Sequence, residues 1–311
     1  MLARLYFLLL GLWLFVFAGF SAHANTTVVI VSSEASPAYV DAAQAMVNEL
    51  ERGGISRYDM LQLTALEFSK TAPMSPKLFV ALGVEASRVL AKAEVQAPIF
   101  CTLLPRSSFE RVLQESARQP STQFSALYLD QPLSRQLDLI RIALPAVQHV
   151  GVLWGPESKR QETELKVLAR AKGFELSDAS VTASDLLFPS LKKVLVGADV
   201  LLALADPQVF NSNSIQNILL SSFRANVPLV AFSPAYVRAG ALFSLAATPA
   251  QMGQQAGSIA LGVLQGKALM ALPVYSRDFS VAVNEHVARS FGLRLDAPAL
   301  TARLRSMEGG R

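Results

Sequence analysis

Residues 27–32 read TVVIVS, an uninterrupted apolar run that favours a β-strand buried on both faces. Pro37 and an amphipathic helical pattern over residues 39–52 follow, and Gly53-Gly54 ends that pattern. The alternation of short strands and helices continues, with further strands predicted at residues 57–63, 78–82, 97–103 and 123–128. Strands and helices that alternate at this spacing form parallel sheets with helices on both faces.

The pattern restarts in the middle of the chain. Residues 134–143 have helical periodicity, and residues 149–154, HVGVLW, form a second apolar strand signal. Further strands are predicted at residues 175–181, 200–204, 227–232 and 281–284, with helices at 184–195, 212–225 and 249–264. One twisted sheet rarely exceeds about ten strands, so two sets of about five predict two doubly wound α/β lobes. Because no low-complexity linker separates the halves, we expect several short crossings that act as a hinge.

The N-terminus resembles a secretory signal. Arg4 precedes an apolar run over residues 5–20, and Ala22 and Ala24 are the small residues that a signal peptidase requires. The alternative is an uncleaved membrane anchor, but the run is shorter than the roughly 20 residues that span a bilayer. We therefore predict a signal peptide over residues 1–24, cleaved after Ala24, and a mature chain in the periplasm.

Composition argues against several classes of protein. The formal net charge is +4 and the basic residues are scattered, which is not the concentrated basic face of a nucleic-acid binder. Cys101 is the only cysteine, so no internal disulfide can form, and its apolar segment predicts a buried strand position. The sequence holds three histidines and shows no metal-ligand spacing, phosphate loop or nucleophile elbow. We therefore expect no cofactor, no metal and no enzymatic activity.

The order of the elements and several local stretches resemble the substrate-binding proteins of ABC transporters, in particular uncharacterised members related to aromatic-amino-acid binders. The resemblance covers essentially the whole mature chain. The stretches that carry it are residues 136–140 with Leu144-Pro145, 150–154, 198–200 leading to Asp206, 227–231, 237–242 and 252–257. Two positions depart from the family pattern: Gly83-Val84 replaces the frequent Gly-Thr, and Gly155-Pro156 replaces Asn-Pro.

The resemblance implies the type I periplasmic-binding fold, with three crossings between the lobes. The first lobe would comprise residues 25–126 completed by 241–266, and the second residues 127–240 completed by 267–311. The implied function is capture of a small organic solute, such as an amino acid or aromatic compound, by hinge closure. The protein is expected to be a monomer, and the implied partner is an inner-membrane ABC permease. The alternative is a binding protein that presents its ligand to a membrane sensor.

Candidate ligand contacts follow from the rule that ligands bind beyond the carboxyl ends of parallel strands. Asp206 comes after a buried strand and matches the family's acidic position; the alternative is a turn or helix-capping aspartate. Ser32 and Ser33 end the first strand, where they could bind ligand or cap the next helix. Gly83 either allows a ligand close to the backbone or forms a tight turn.

The remaining candidates are aromatic rings and hydroxyls at other strand ends. Trp154 and Tyr128 could sandwich a planar or apolar ligand, or they could be core residues. Thr102 and Ser233 are at the ends of the fourth predicted strand of the first and second lobe, and they could offer hydroxyl groups to a ligand.

Overall fold

The structure is a computed structural model that describes residues 26–182 and 187–309. Its first sheet has six parallel strands, four of which are the continuous apolar runs of the sequence. In spatial order these strands are β11 (Val274–Tyr275), β5 (Phe124–Tyr128), β4 (Ile99–Leu104), β3 (Leu78–Leu82), β1 (Val28–Ser32) and β2 (Met60–Thr64). Strands β3, β4 and β5 are buried at every position, as expected for strands covered on both faces.

Helices cover both faces of this sheet. The elements are α1 (Pro37–Arg52), α2 (Ala65–Phe68), α3 (Val84–Lys92), α4 (Arg106–Ser116) and α10 (Pro249–Leu264), with a 3₁₀ turn at Arg57–Asp59. Helices α1 and α10 pack on one face, and α3 and α4 pack on the other. Helix α10 lies so close to α1 that a Cβ atom at Gly253 would overlap the backbone of Ala42. The small residues of α10 therefore permit this helix–helix contact.

Among the described residues, the second sheet also has six strands, of which only β12 is antiparallel to its neighbour. In spatial order they are β12 (Ser280–Val283), β10 (Phe243–Ala246), β9 (Leu229–Ala231), β8 (Val200–Leu202), β6 (His149–Trp154) and β7 (Glu175–Ser180). The helices on one face are α5 (Leu133–Ala143), α6 (Glu162–Ala171), α11 (Glu285–Ser290) and α12 (Ala297–Gly309), and α6 follows a 3₁₀ turn at Ser158–Gln161. The other face carries α7 (Leu187–Val196), α8 (Ile215–Arg224) and α9 (Pro234–Ala239).

Within residues 26–182 and 187–309, the backbone crosses between the two lobes three times: between β5 and α5, between β10 and α10, and between β11 and β12. Three expected boundaries need correction. Strand β5 belongs to the first sheet through Tyr128, so the first lobe does not end at residue 126. Strand β10 pairs with β9 in the second sheet, so the return to the first lobe begins after Ala246 and not at residue 241. Strand β11 pairs with β5, so the first lobe extends through Tyr275 and not to residue 266. A two-residue edge strand has no periodicity that the sequence could reveal.

The predicted signal peptide, residues 1–24, and its cleavage site lie outside the described residues. Among the residues that the structure describes, no helix combines the length and the apolar character needed to cross a membrane.

Cys101 lies in the middle of β4, paired with Ala81 on one side and Ala126 on the other, and is fully buried. Burial raises the pKa of its thiol to about 12, so the reactive thiolate is absent at neutral pH. We expect the native protein to resist a thiol reagent and the urea-unfolded protein to react completely. Time-resolved absorbance with a chromogenic disulfide reagent measures this difference, and rapid labelling of the native protein would contradict the burial.

Candidate functional site

A cavity of about 630 Å³ lies between the two lobes. The first lobe lines it with segments at 34–39, 103–105, 129–130 and 247–249, and the second lobe lines it with Ala205, residues 232–238 and Ala246. These segments include or follow the carboxyl ends of β4, β5, β8, β9 and β10. The cavity is therefore at the edge of both sheets where the topology predicts a ligand, and two of the three lobe crossings border it.

The charges that line the cavity differ in sign between the lobes. Glu34 and Asp130 belong to the first lobe, and Arg238 on α9 belongs to the second. Glu34 and Arg238 are exposed, whereas Asp130 is partly buried. A ligand between the lobes thus meets carboxylates on one wall and a guanidinium on the other.

Asp130 follows β5 directly, at the first lobe crossing. Removal from water raises the pKa of its carboxyl group to about 6, and a hydrogen bond from the backbone N–H of Arg106 opposes that effect. The carboxyl group is therefore largely ionised at pH 7 but gains a proton in mildly acidic solution. A cationic ligand group beside it would favour the ionised form.

Apolar side chains cover much of the remaining cavity wall. Leu103, Leu129 and Phe232 line it, and the ring of Phe232 makes an edge contact with Tyr236 at 5.0 Å between ring centroids. Leu103 has a φ of +56° at a bulge in the β4–β5 pairing. A β-bulge changes the direction in which a side chain points, and bulges are frequent next to binding sites. This bulge places the side chain of Leu103 in the cavity wall.

Three helices begin at the cavity. Ser36 precedes α1, Ser233 precedes α9 and Thr248 precedes α10, and each helix has proline in its first turn. Proline suits that position because its missing N–H would have no partner there. The positive ends of the helix dipoles point toward the same space and add to the attraction for an anionic ligand group.

Among the residues predicted from strand ends, Ser233 lines this cavity in the described part of the chain. Its Oγ also accepts a hydrogen bond from the N–H of Ala235 at 3.2 Å, so it caps α9 as well. Ser32 lines a neighbouring pocket of about 200 Å³, which shares Glu34 and Tyr39 with the cavity.

Ser33 and Gly83 have structural contacts with each other. The Oγ of Ser33 donates to the carbonyl of Leu82 and accepts from the N–H of Ala86, both at 3.0 Å, so it caps α3. Gly83 has a φ of +92°, and the space that a Cβ atom would need holds the hydroxyl groups of Ser33 and Tyr39. The glycine is thus required by protein atoms that fill the turn, and the structure does not bring it to the cavity.

The two aromatic candidates lie in the core and not at the cavity. Trp154 is 1% exposed, and its Nε1 donates to Asp178 at 2.8 Å. Tyr128 packs between Phe109 and Tyr275, with ring centroids 5.9 and 5.2 Å away. Their side chains point into the helix-covered faces of the two sheets, so neither ring offers a flat surface to a ligand in this conformation.

Thr102 and Asp206 are also buried within their own lobes. Thr102 is fully buried on β4, and its Oγ1 has no hydrogen-bond partner among the described residues. Asp206 is 2% exposed and accepts hydrogen bonds from the N–H groups of Glu157, Ser158 and Gln208 and from the Ser158 hydroxyl, at 2.8–3.0 Å. Its carboxylate fills the space of a Cβ at Gly155, which explains glycine at that departure from the family pattern.

Four cavity residues were not predicted from the sequence: Glu34, Leu103, Asp130 and Arg238. Asp130 carried the same signal as Asp206, since both aspartates follow a buried strand. What distinguishes them is the lobe crossing after β5, which brings Asp130 to the hinge side of the cavity. Arg238 lies on a six-residue helix, α9, that periodicity could not reveal.

Comparison with known proteins agrees with this architecture. A sequence model of the family described as ABC transporter substrate binding protein matches residues 62–302. A tyrosine-binding protein from Clostridioides difficile is 22% identical over 230 residues, which are 73% of this chain and 66% of that protein. The chain therefore spans just under two thirds of that relative's length.

Solved structures share the two-lobe fold. A ligand-free, open substrate-binding protein with adhesive properties from Clostridium difficile superposes with a TM-score of 0.67 at 19% identity, over 87% of this chain and 96% of that chain. A domain in complex with L-Trp from Streptococcus pneumonia superposes with a TM-score of 0.64 at 17% identity, over 89% and 97%. The two-lobe fold class expected from the sequence is confirmed.

Proposed function

Because the chain belongs to the ABC transporter substrate-binding protein family, we propose that it captures a small solute between its lobes for an inner-membrane permease. Transport fits this family better than presentation of a ligand to a membrane sensor. The proposal includes export through the signal peptide to the periplasm, binding as a monomer, and release of the solute without chemical change. Hinge closure around the solute would involve the three chain crossings, two of which border the cavity.

The proposed ligand is an α-amino acid with an apolar or aromatic side chain. The observation that carries this proposal is the opposition of Asp130 and Glu34 on one wall to Arg238 on the other. A zwitterion matches that arrangement, with its ammonium group at the carboxylates and its carboxylate at Arg238. Leu103, Leu129 and Phe232 would contact the side chain, and the cavity volume is within the range of small-molecule sites.

Two similar proteins are consistent with this ligand class. The relative from Clostridioides difficile is a tyrosine-binding protein, and the streptococcal domain was solved with L-Trp. Because their sequence identity to this chain is low, they do not identify which amino acid binds here. That preference depends on the residues that line this cavity.

Titration calorimetry on residues 25–311 tests the ligand class directly. We expect saturable binding of tyrosine, tryptophan, phenylalanine or leucine, and at least tenfold weaker binding of the matching N-acetyl and methyl-ester forms, because each form lacks one charge. Binding of a sugar, or equal binding of the neutralised analogues, would contradict the proposal.

Arg238→Ala is expected to weaken binding of that amino acid about tenfold, because a charge-assisted hydrogen bond to its carboxylate is lost. Arg224→Ala is the matched control, since Arg224 is an exposed arginine at the end of α8 in the same lobe and does not line the cavity. Affinity is measured by calorimetry, and thermal unfolding verifies that both variants stay folded. Equal affinities of the two variants would exclude Arg238 from ligand binding.

A further inference from the structure

Polar side chains join the two lobes beside the cavity. Helix α4 of the first lobe faces the segment 157–164 of the second lobe. Arg106 pairs with Glu164 at 2.7 Å, and Arg111 pairs with Glu157 at 2.9 Å. The side-chain amide oxygen of Gln114 accepts from Arg160 at 2.6 Å. We call these residues the interlobe latch: Arg106, Arg111, Gln114, Glu157, Arg160 and Glu164.

Two serines at the start of α4 add contacts to the same interface. The Ser107 hydroxyl donates to the carbonyl oxygen of Ala205 at 3.3 Å, and the Ser108 hydroxyl donates to Glu157 at 3.4 Å. The latch side chains are partly exposed, and their contacts can break without unfolding either lobe. A single exposed ion pair contributes little free energy. The relative position of the lobes therefore depends on several such contacts acting together.

Arg106 connects this interface to the cavity. Its backbone N–H donates to the carboxylate of Asp130, while its guanidinium donates to Glu164 in the other lobe and to the hydroxyl of Tyr275 at 3.0 Å. One residue therefore contacts both a cavity carboxylate and the opposite lobe. A change in the distance between the lobes would therefore affect Arg106, whose backbone N–H donates to Asp130.

We propose that the interlobe latch stabilises a closed arrangement of the lobes before any ligand binds. Ligand affinity then includes a contribution from side chains that never touch the ligand, because apparent affinity scales with the fraction of binding-competent protein. The latch is ionic and partly exposed, so salt weakens it. The effect on affinity depends on the proposed function, whereas the effect on the ligand-free protein does not.

The ligand-free protein is the right sample for the test. Spin labels at Gln119→Cys and Val167→Cys report the distance between the lobes, since both positions are exposed and lie on opposite lobes. Native Cys101 is buried and stays unlabelled. The latch variant is Glu157→Gln with Glu164→Gln, which keeps the side-chain shapes and removes both cross-lobe charges.

The matched control is Glu162→Gln. Glu162 lies in the same segment, but its partners are Lys159 and Lys166, both at 2.7 Å within the second lobe. We expect double electron–electron resonance to show a population with a short distance between the labels in the wild type and the control. In the latch variant this population should be smaller by about threefold or more. Salt at about 1 M should reduce it in the wild type and change the latch variant little.

A charge exchange gives a second, independent readout. Arg111→Glu alone should reduce the short-distance population, and adding Glu157→Arg should restore it. Identical distance distributions in the wild type, latch variant and control at both salt concentrations would overturn the proposal. This result would leave amino-acid binding untouched, and absence of amino-acid binding would leave the distance measurement valid, so the two failures are distinguishable.

Discussion

Asp206→Ala is expected to lower the free energy of unfolding by about 3–5 kcal/mol. The substitution leaves three backbone N–H groups, those of Glu157, Ser158 and Gln208, without their buried acceptor. It also removes one partner of the fully buried Ser158 hydroxyl, which keeps only its contacts with the backbone of Gly155. Urea unfolding followed by circular dichroism measures the loss, which corresponds to a drop in Tm of roughly 6–20 °C.

Asp206→Asn is the graded control, because the amide keeps the shape and one acceptor oxygen while it loses the charge. We expect its stability to lie between those of the wild type and Asp206→Ala. Gly155→Ala tests the same contact from the opposite side, since its Cβ would overlap the Asp206 carboxylate. If Asp206→Ala unfolded like the wild type but no longer bound an amino acid, Asp206 would be a ligand residue, as its match to the family's acidic position implies.

The strands were predictable because a strand that is buried on both faces is a continuous run of apolar residues. LFVAL at residues 78–82 and HVGVLW at residues 149–154 coincide with β3 and β6 at both ends. Helix α4 was missed because two of its buried residues are Ser107 and Ser108, which weaken the apolar periodicity. One side of that helix packs on its own sheet, and another side contacts the other lobe. The sequence pattern alone does not distinguish these two buried surfaces.

The binding residues were harder to predict for a topological reason. The strand-end rule selects a whole edge of each sheet, but a lobe's own loops can cover part of that edge. The turn at residues 155–161 covers Asp206, and Tyr39 covers Gly83. The crossings between the lobes leave a different part of the edge open, and their positions depend on pairing between distant segments.

Asp130 also makes the stability of the ligand-free protein depend on pH. Its pKa is raised from an ordinary value near 4 to about 6, mainly by burial, so the folded state binds more protons than the unfolded state between these values. Stability should therefore fall as pH rises through this window, by at most about 3 kcal/mol. Asp130→Asn should remove that part of the pH dependence, which urea unfolding at pH 4 and pH 7 would measure.

Asp130→Asn should also weaken amino-acid binding by about 100-fold at pH 7, because the ligand ammonium loses a partly buried ionic partner. In the wild type, affinity should fall about tenfold between pH 7 and pH 5, since protonation of Asp130 removes the same charge. The ammonium group of the ligand keeps its charge throughout this range, so the titrating group is on the protein. Calorimetry in two buffers of different ionisation enthalpy measures both the affinity and the proton released on binding.

Glu162→Gln is the control for the pH experiment, because Glu162 is a carboxylate of the second lobe whose pKa is lowered to about 2 by hydrogen bonds from Lys159 and Lys166. It stays ionised across the range, so this variant should keep the wild-type pH profile. An Asp130→Asn variant with an unchanged profile would assign the titration to another group, with Glu34 as the other carboxylate of the cavity. A flat wild-type profile would mean that the ammonium group binds without Asp130, and the zwitterion would then have to lie elsewhere between the lobes.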